Sequence, residues 1–209
     1  MSVMQDVLRQ QWLEIRQRLV GLVQEGSSFS LRIPGEQSMW WGPLDDLAPT
    51  HVGWPVHVLG DSQTHQAIYR ARSDVGAILL GGGDFAQRLA DFGGVMPILF
   101  DEQARHIGHM GAPAASVQDI AGALQRGGNA VLIKGVPATL GTTGTRMAMN
   151  AQLFEKCAKA FTLAKASGAK MTLLPWWVVR VANSRLMKDE QRATQCFARG
   201  EIPPENRGY

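Results

Sequence analysis

The chain has 209 residues, 45% of them hydrophobic and 19% charged, which suits one globular domain long enough to bury a substantial core and argues against two. The formal charge of +3 and pI near 9.1 are mild, and the basic residues are scattered rather than interleaved with aromatics, so no nucleic-acid partner is expected. No apolar run approaches about 18 residues and no basic, apolar and small-residue leader opens the sequence, so the expectation is a cytoplasmic protein with no membrane partner.

Residues 3 to 24 place Val3, Val7, Leu8, Trp12, Ile15, Leu19 and Leu22 near helical spacing, which predicts an amphipathic helix ending at Gly26. Residues 28 to 33 and 38 to 41 flank the turn signal Pro34-Gly35-Glu36 and predict a hairpin. A helix is predicted over 61 to 72, a buried strand over 77 to 80, and a short helix over 84 to 91 with Asp84 favouring its start. Residues 116 to 126 read as a helix, 130 to 133 as a second buried strand, and 143 to 167 as a long helix stopped by Gly168. One more strand is predicted over 171 to 174 and a helix after Pro175; residues 1 to 200 form the domain and 201 to 209 a flexible tail. Cys157 and Cys196 have no paired spacing, so reduced thiols are expected rather than a disulfide framework or a cysteine-held zinc.

Several segments, read in order, resemble the class II aldolase/adducin family, which includes L-fuculose-phosphate aldolase and L-ribulose-phosphate 4-epimerase. Gly26-Ser27-Ser28-Phe29-Ser30-Leu31-Arg32 is similar to the family's Gly-Asn-x-Ser-x-Arg, with Ser28 in place of Asn. His65, Tyr69, Arg72 and Asp74 match a His-x-x-x-Tyr-x-x-Arg-Pro-Asp helix leading into a strand. After that strand the family has His-x-His-Ser-Pro, where this chain has Leu80-Gly81-Gly82-Gly83-Asp84. Lys134-Gly135-Val136 stands for the family's His-Gly-Val, and Glu155 follows on a long helix. The match runs over roughly residues 7 to 180.

The resemblance implies an α/β fold, a single-domain αβα sandwich with a central, mostly antiparallel sheet flanked by helices. It also implies a homo-oligomer, possibly a tetramer, and a pocket for a small sugar-like, hydroxy-acid or aldehyde ligand. The family's three imidazoles hold a zinc that stabilises an enediolate. Leu80, Gly82 and Lys134 stand at those positions, so no zinc or other metal cofactor is expected. The family's acid/base glutamate corresponds to Asp61, and its phosphate-gripping serines to Leu59 and Gly60.

The candidate catalytic residues are therefore Lys134, Asp61, Asp84 and Tyr69, and the candidate ligand-binding residues are Ser28, Ser30, Arg32, Gly81, Gly82 and Gly83. An ammonium at Lys134 can stabilise an oxyanion or, if buried, form a Schiff base; the favoured reading is an ion pair with Asp84 or another carboxylate. Gly81 to Gly83 read equally as an anion nest of backbone amides and as a tight turn. His106 and His109, with Asp101 or Glu102, form the alternative of a relocated metal site, which Gly108 disfavours as a helix. His65 is expected to pack within its helix, His51 and His57 to lie in a loop or strand, and Trp40-Trp41 and Trp176-Trp177 to serve core or subunit contacts. Three functions stay open: a lyase using a relocated metal or Lys134, a small-molecule binder that has lost the chemistry, and an interaction scaffold.

Overall fold

The computed structural model describes residues 2–54, 60–124 and 126–205. Helix α1 (Val3–Leu19) starts in a capping box between Ser2 and Gln5 and buries Leu8, Trp12, Ile15 and Leu19. It stops five residues earlier than the periodicity predicts, because Gly21 takes a left-handed conformation at φ 80° and turns the chain away. Strands β1 (Ser28–Ile33) and β2 (Ser38–Pro43) form the predicted hairpin around Gly35. A strand that the sequence reading did not single out, β3 (Thr50–Gly53), adds to β2.

Helix α2 (Asp61–Ala71) and strand β4 (Ala77–Leu80) follow their predictions closely. The predicted 84–91 helix is α3 (Asp84–Arg88) followed by a 3-10 turn, Leu89–Phe92. Next come α4 (Asp101–His106), then a 3-10 turn at Val117–Asp119 and the single turn of α5 (Ile120–Ala123). The helix predicted over 116–126 is thus much shorter: Gly122 lies within it, and the chain is already extended at Leu124 before Gly127 and Gly128.

Strand β5 (Ala130–Ile133) turns directly into β6 (Val136–Gly141), then come α6 (Gly144–Ala166) and α7 (Trp176–Ala198). Residues 171–174 do not form the predicted strand. A strand needs an open edge, and that of β5 is met by Ala114, whose N–H donates to Leu132 and whose carbonyl accepts from Lys134.

The six strands make one antiparallel sheet in the order β3-β2-β1-β4-β6-β5. Alternation along each strand sorts the core. Phe29, Leu31, Ile33, Ala77 and Leu79 pack under α1 and α6, with Trp12 stacked on Phe29 at 4.4 Å between ring centres. On the opposite face Ile78, Leu80, Val131, Ile133 and Leu140 pack under α2 and α5, while Ala130 and Leu132 join α3, α4 and the second half of α6.

One buried ionic cluster ties helices to this sheet. Arg72, just after α2, donates from Nε and Nη2 to the two carboxylate oxygens of Asp74 at 2.8 and 2.7 Å. Its Nη2 also lies 3.0 Å from Glu190 Oε1 on α7, and its Nη1 donates to the Gly128 carbonyl at 2.7 Å. Glu190 is fully buried, and its Oε2 accepts from the Gly127 N–H at 2.8 Å. Burial, reinforced by Asp74 and opposed by Arg72, pushes the Glu190 carboxyl up to about 7.

From its ordinary value of 4.5 to about 7, the folded chain therefore holds a proton at Glu190 that the unfolded chain lacks. This group's contribution to stability is present below that window and falls as pH rises through it. Measured by urea unfolding, wild type is expected to lose stability relative to Glu190→Gln as pH rises from about 5 to about 7.5. A pH-independent difference between the two proteins would show that Glu190 does not titrate there.

Candidate ligand-binding cleft

The sheet brings the end of β4 beside the β5–β6 turn, and the first turn of α2 stands over both. Between them lies a cleft of about 420 Å³, lined by Asp61, Gln63 and Thr64 of α2, Leu80 and Gly81 of β4, Ile133 and Lys134 at the turn, and Glu25 and Ser27 before β1. Three positions singled out in the sequence, Asp61, Gly81 and Lys134, thus line one cavity. Glu25, Gln63, Thr64, Gln87 and Val117 also line it without having been singled out. Thr64 was recoverable from its i,i+3 helical spacing to Asp61; the others carry no local signal.

Lys134 is exposed and occupies the first central position of a two-residue turn, with φ 51° there and 80° at Gly135. It is the sole non-glycine with positive φ among the described residues. Hairpins favour this turn with Asn or Gly, whereas an unbranched Cβ residue is strained in it by about 1–2 kcal/mol. Among the described residues no ion pair joins Lys134 to Asp84; the Asp84 carboxylate instead accepts from Gln24 Nε2 at 2.9 Å, in a neighbouring hollow with Glu155. The expected Lys134–Asp84 pair does not form.

Gly81 has φ 117°, and a Cβ there would lie 2.0 Å from Ser27 Oγ, so no side chain fits. A Cβ at Gly82 would meet Ala86 Cβ at 2.9 Å, and one at Gly83 would meet the Glu155 carboxyl carbon at 2.5 Å. Glu155 accepts from the Phe85 and Ala86 N–H groups at 2.9 Å each, so the start of α3 already holds a carboxylate of the chain itself. Of the two readings of the glycine run, these contacts favour close packing.

Leu80, Gly82 and Lys134 between them present no set of zinc-donor side chains. Leu80 is a buried hydrocarbon, Gly82 is pressed against Ala86, and Lys134 is cationic. Among the described residues no three His, Cys, Asp or Glu side chains converge as a metal site. His106 and His109 do not meet: Arg146 Nη1 donates to His106 Nδ1 at 2.9 Å, and His109 lines a separate groove along α7 with Leu173, Trp176 and Met187. Burial, with Arg146 and Arg105 beside it, pulls His106 down to about 4.

Strand alternation puts Ser28, Ser30 and Arg32 beneath α2 rather than at the cleft. Ser28 Oγ donates toward Asp61 Oδ2 at 3.4 Å and lies 3.1 Å from His65 Nε2; Ser30 Oγ lies 2.8 Å from His65 Nδ1 and 2.9 Å from the Tyr69 hydroxyl. Tyr69 is buried, with its hydroxyl 3.2 Å from the Ser30 carbonyl and 3.4 Å from that of Gly76, so it does not open to the cleft as a catalytic residue would. Arg32 Nη1 donates to the Ser73 carbonyl, and the guanidinium covers the rings of Tyr69 and Phe197. Ser30 is therefore buried and Arg32 half-buried on the face that α2 covers, and neither lines the cleft. Trp40 is buried, whereas Trp176 and Trp177 are 76% and 59% exposed; His57 and Leu59 lie outside the described residues.

This antiparallel sheet with helices on both faces is the class II aldolase fold. YgbL from Klebsiella pneumoniae superposes with a TM-score of 0.72 at 18% identity, covering 87% of this chain and all of that one. L-fuculose 1-phosphate aldolase from Glaciozyma antarctica PI12 gives 0.72 at 17% identity, covering 95% and 92% of the two chains. An aldolase II superfamily protein from Pseudomonas syringae gives 0.63 at 15% identity, over 97% and 96%. No protein-family model and no curated protein matches the sequence. No described helix is long and apolar enough to cross a membrane.

The strained turn gives a test of its own. Lys134→Asn, which suits a left-handed position, is expected to raise stability by about 0.5–1 kcal/mol in urea unfolding. A destabilised variant would mean that Lys134 makes folded-state contacts worth more than its strain.

Proposed function

We propose that this protein binds a small oxygenated anion, of the hydroxy-acid, oxo-acid or sugar-phosphate kind, in the cleft between α2 and the β5–β6 turn, and that it does so without the zinc site of the class II aldolases. The observation that carries this reading is the placement of a strained, exposed Lys134 in the same cleft as Asp61. A residue held in a costly backbone conformation at a cavity is a sign of function rather than of packing. In this reading Lys134 receives the anionic group of the ligand, while Asp61 accepts a hydrogen bond, or a proton, from a ligand hydroxyl.

The fold neighbours include L-fuculose 1-phosphate aldolase, which motivates an oxygenated, sugar-like ligand class. Leucine, glycine and an ammonium offer no equivalent of a three-imidazole centre, so aldol cleavage through zinc is not part of the proposal. The lysine that a Schiff base would need is exposed, which removes the burial on which that alternative rested.

Thermal unfolding with a panel of hydroxy acids, oxo acids, aldehydes and sugar phosphates tests the reading. A ligand of the folded state raises the midpoint in proportion to the logarithm of its concentration. Wild type is expected to respond to at least one anion, and Lys134→Met to lose at least tenfold in affinity for it. A silent panel would leave the interaction scaffold, and stoichiometric zinc on protein incubated with the ion and desalted would restore the metal lyase.

We also infer that copies associate, supported by the apolar side chains that Leu173, Trp176, Trp177 and Val181 leave exposed along α7. Sedimentation at micromolar concentration is expected to give an oligomer that Trp176→Ser weakens; a wild-type monomer would remove this inference.

A further inference from the structure

Beneath the cleft, five side chains form one continuous hydrogen-bonded row: Asp61, Ser28, His65, Ser30 and Tyr69. Asp61 stands at the exposed end, and the other four are buried, His65 fully. The proton inventory of such a row is restrictive. Burial pulls His65 down to about 3, so the ring is neutral, with one nitrogen a donor and the other an acceptor. Burial also pushes the Tyr69 hydroxyl up, so it stays protonated and has one hydrogen to give.

Two arrangements use every proton. In the first, Ser30 donates to Nδ1 of His65, Nε2–H donates to Ser28, and Ser28 donates to Asp61, while Tyr69 donates to the Ser30 or Gly76 carbonyl. In the second, the two bonds to the His65 ring are reversed and the Ser28–Asp61 bond is lost. Ser28 then donates to Nε2, Nδ1–H donates to Ser30, and Ser30 donates to the Tyr69 oxygen, leaving Asp61 with nothing from Ser28. An ionised carboxylate can only accept, so it selects the first arrangement; a neutral or absent carboxyl releases the row to the second.

The structure assigns His65 as a positioning residue for Asp61: through Ser28, its Nε2–H tautomer orients the carboxylate for the ligand, and the tautomer depends on the presence of the Asp61 carboxylate. The inference rests on the reading of Asp61 as the acceptor in the cleft. It requires no net proton transfer along the row, which would leave a buried phenolate at Tyr69.

Nitrogen NMR of isotope-labelled histidine, with His65 assigned through its own backbone, reads the tautomer directly at fixed neutral pH. Wild type is expected to carry the proton on Nε2. Asp61→Leu, at an exposed position where the fold tolerates change, is expected to move it to Nδ1. Combining Asp61→Leu with Ser28→Ala is expected to give the same tautomer as Ser28→Ala alone, because the link is already cut. An Nδ1–H ring in wild type, or an Nε2–H ring unmoved by Asp61→Leu, overturns the assignment. The signal is independent of any added ligand, so a tautomer that follows Asp61 in a protein silent to the ligand panel upholds the coupling and rejects only the ligand reading.

Discussion

A guanidinium taken almost wholly out of water is the constraint on which the remaining architecture turns. Arg72 is 2% exposed, and its desolvation is offset by Asp74, Glu190, the Gly128 carbonyl and Asn129 Oδ1, which all converge on it. Those partners come from the turn between α2 and β4, from α7 and from the loop before β5, so satisfying one cation fixes three segments against the end of α2. Loss of one partner from a buried group of this kind costs about 3–5 kcal/mol, a large fraction of a domain's net stability. One cation among two carboxylates balances best when one of the acids is neutral, which is the direction in which Glu190 is driven.

The same anchoring reaches the cleft through the rigidity of α2. Its C-terminal end is held by Arg72, and its first turn, some ten residues away, presents Asp61 over the end of β4. His65 and Tyr69 lie between these points on the face turned toward β1, where Ser28 and Ser30 meet them. A polar row inside an otherwise apolar layer is stable only when each member is satisfied, and a helix held at one end keeps the distances from 2.8 to 3.4 Å that this requires.

How much of this was legible depended on the length scale of the signal. The runs Ala77–Leu80 and Ala130–Ile133 are apolar at every position, bounded by polar or glycine residues, and were read to the residue. Strand β3 is four residues with only Val52 buried, too short and too exposed for alternation to register. In β6 the second residue is Pro137, which argues against a strand until its carbonyl is seen accepting from Gly81. At the site, Asp61, Gly81 and Lys134 were legible because the family resemblance supplied their places. The placement of buried Ser30 and Tyr69 and half-buried Arg32 away from the cleft was not, since residue type tells neither which face of β1 is covered nor that α2 covers it. The pairing of Glu155 with α3 joins positions 70 apart and leaves no local trace.

The β5–β6 turn fixes the backbone of Lys134 but not the four-carbon stem beyond it. With its backbone held by the turn and its side chain exposed, the lysine carries its charge on a long stem of rotatable bonds at the mouth of the cleft. A charge so mounted sorts visitors by sign before it sorts them by shape. In the proposed binding role such a charge selects for sign rather than length, and finer discrimination falls to the walls at Gly81 and the first turn of α2.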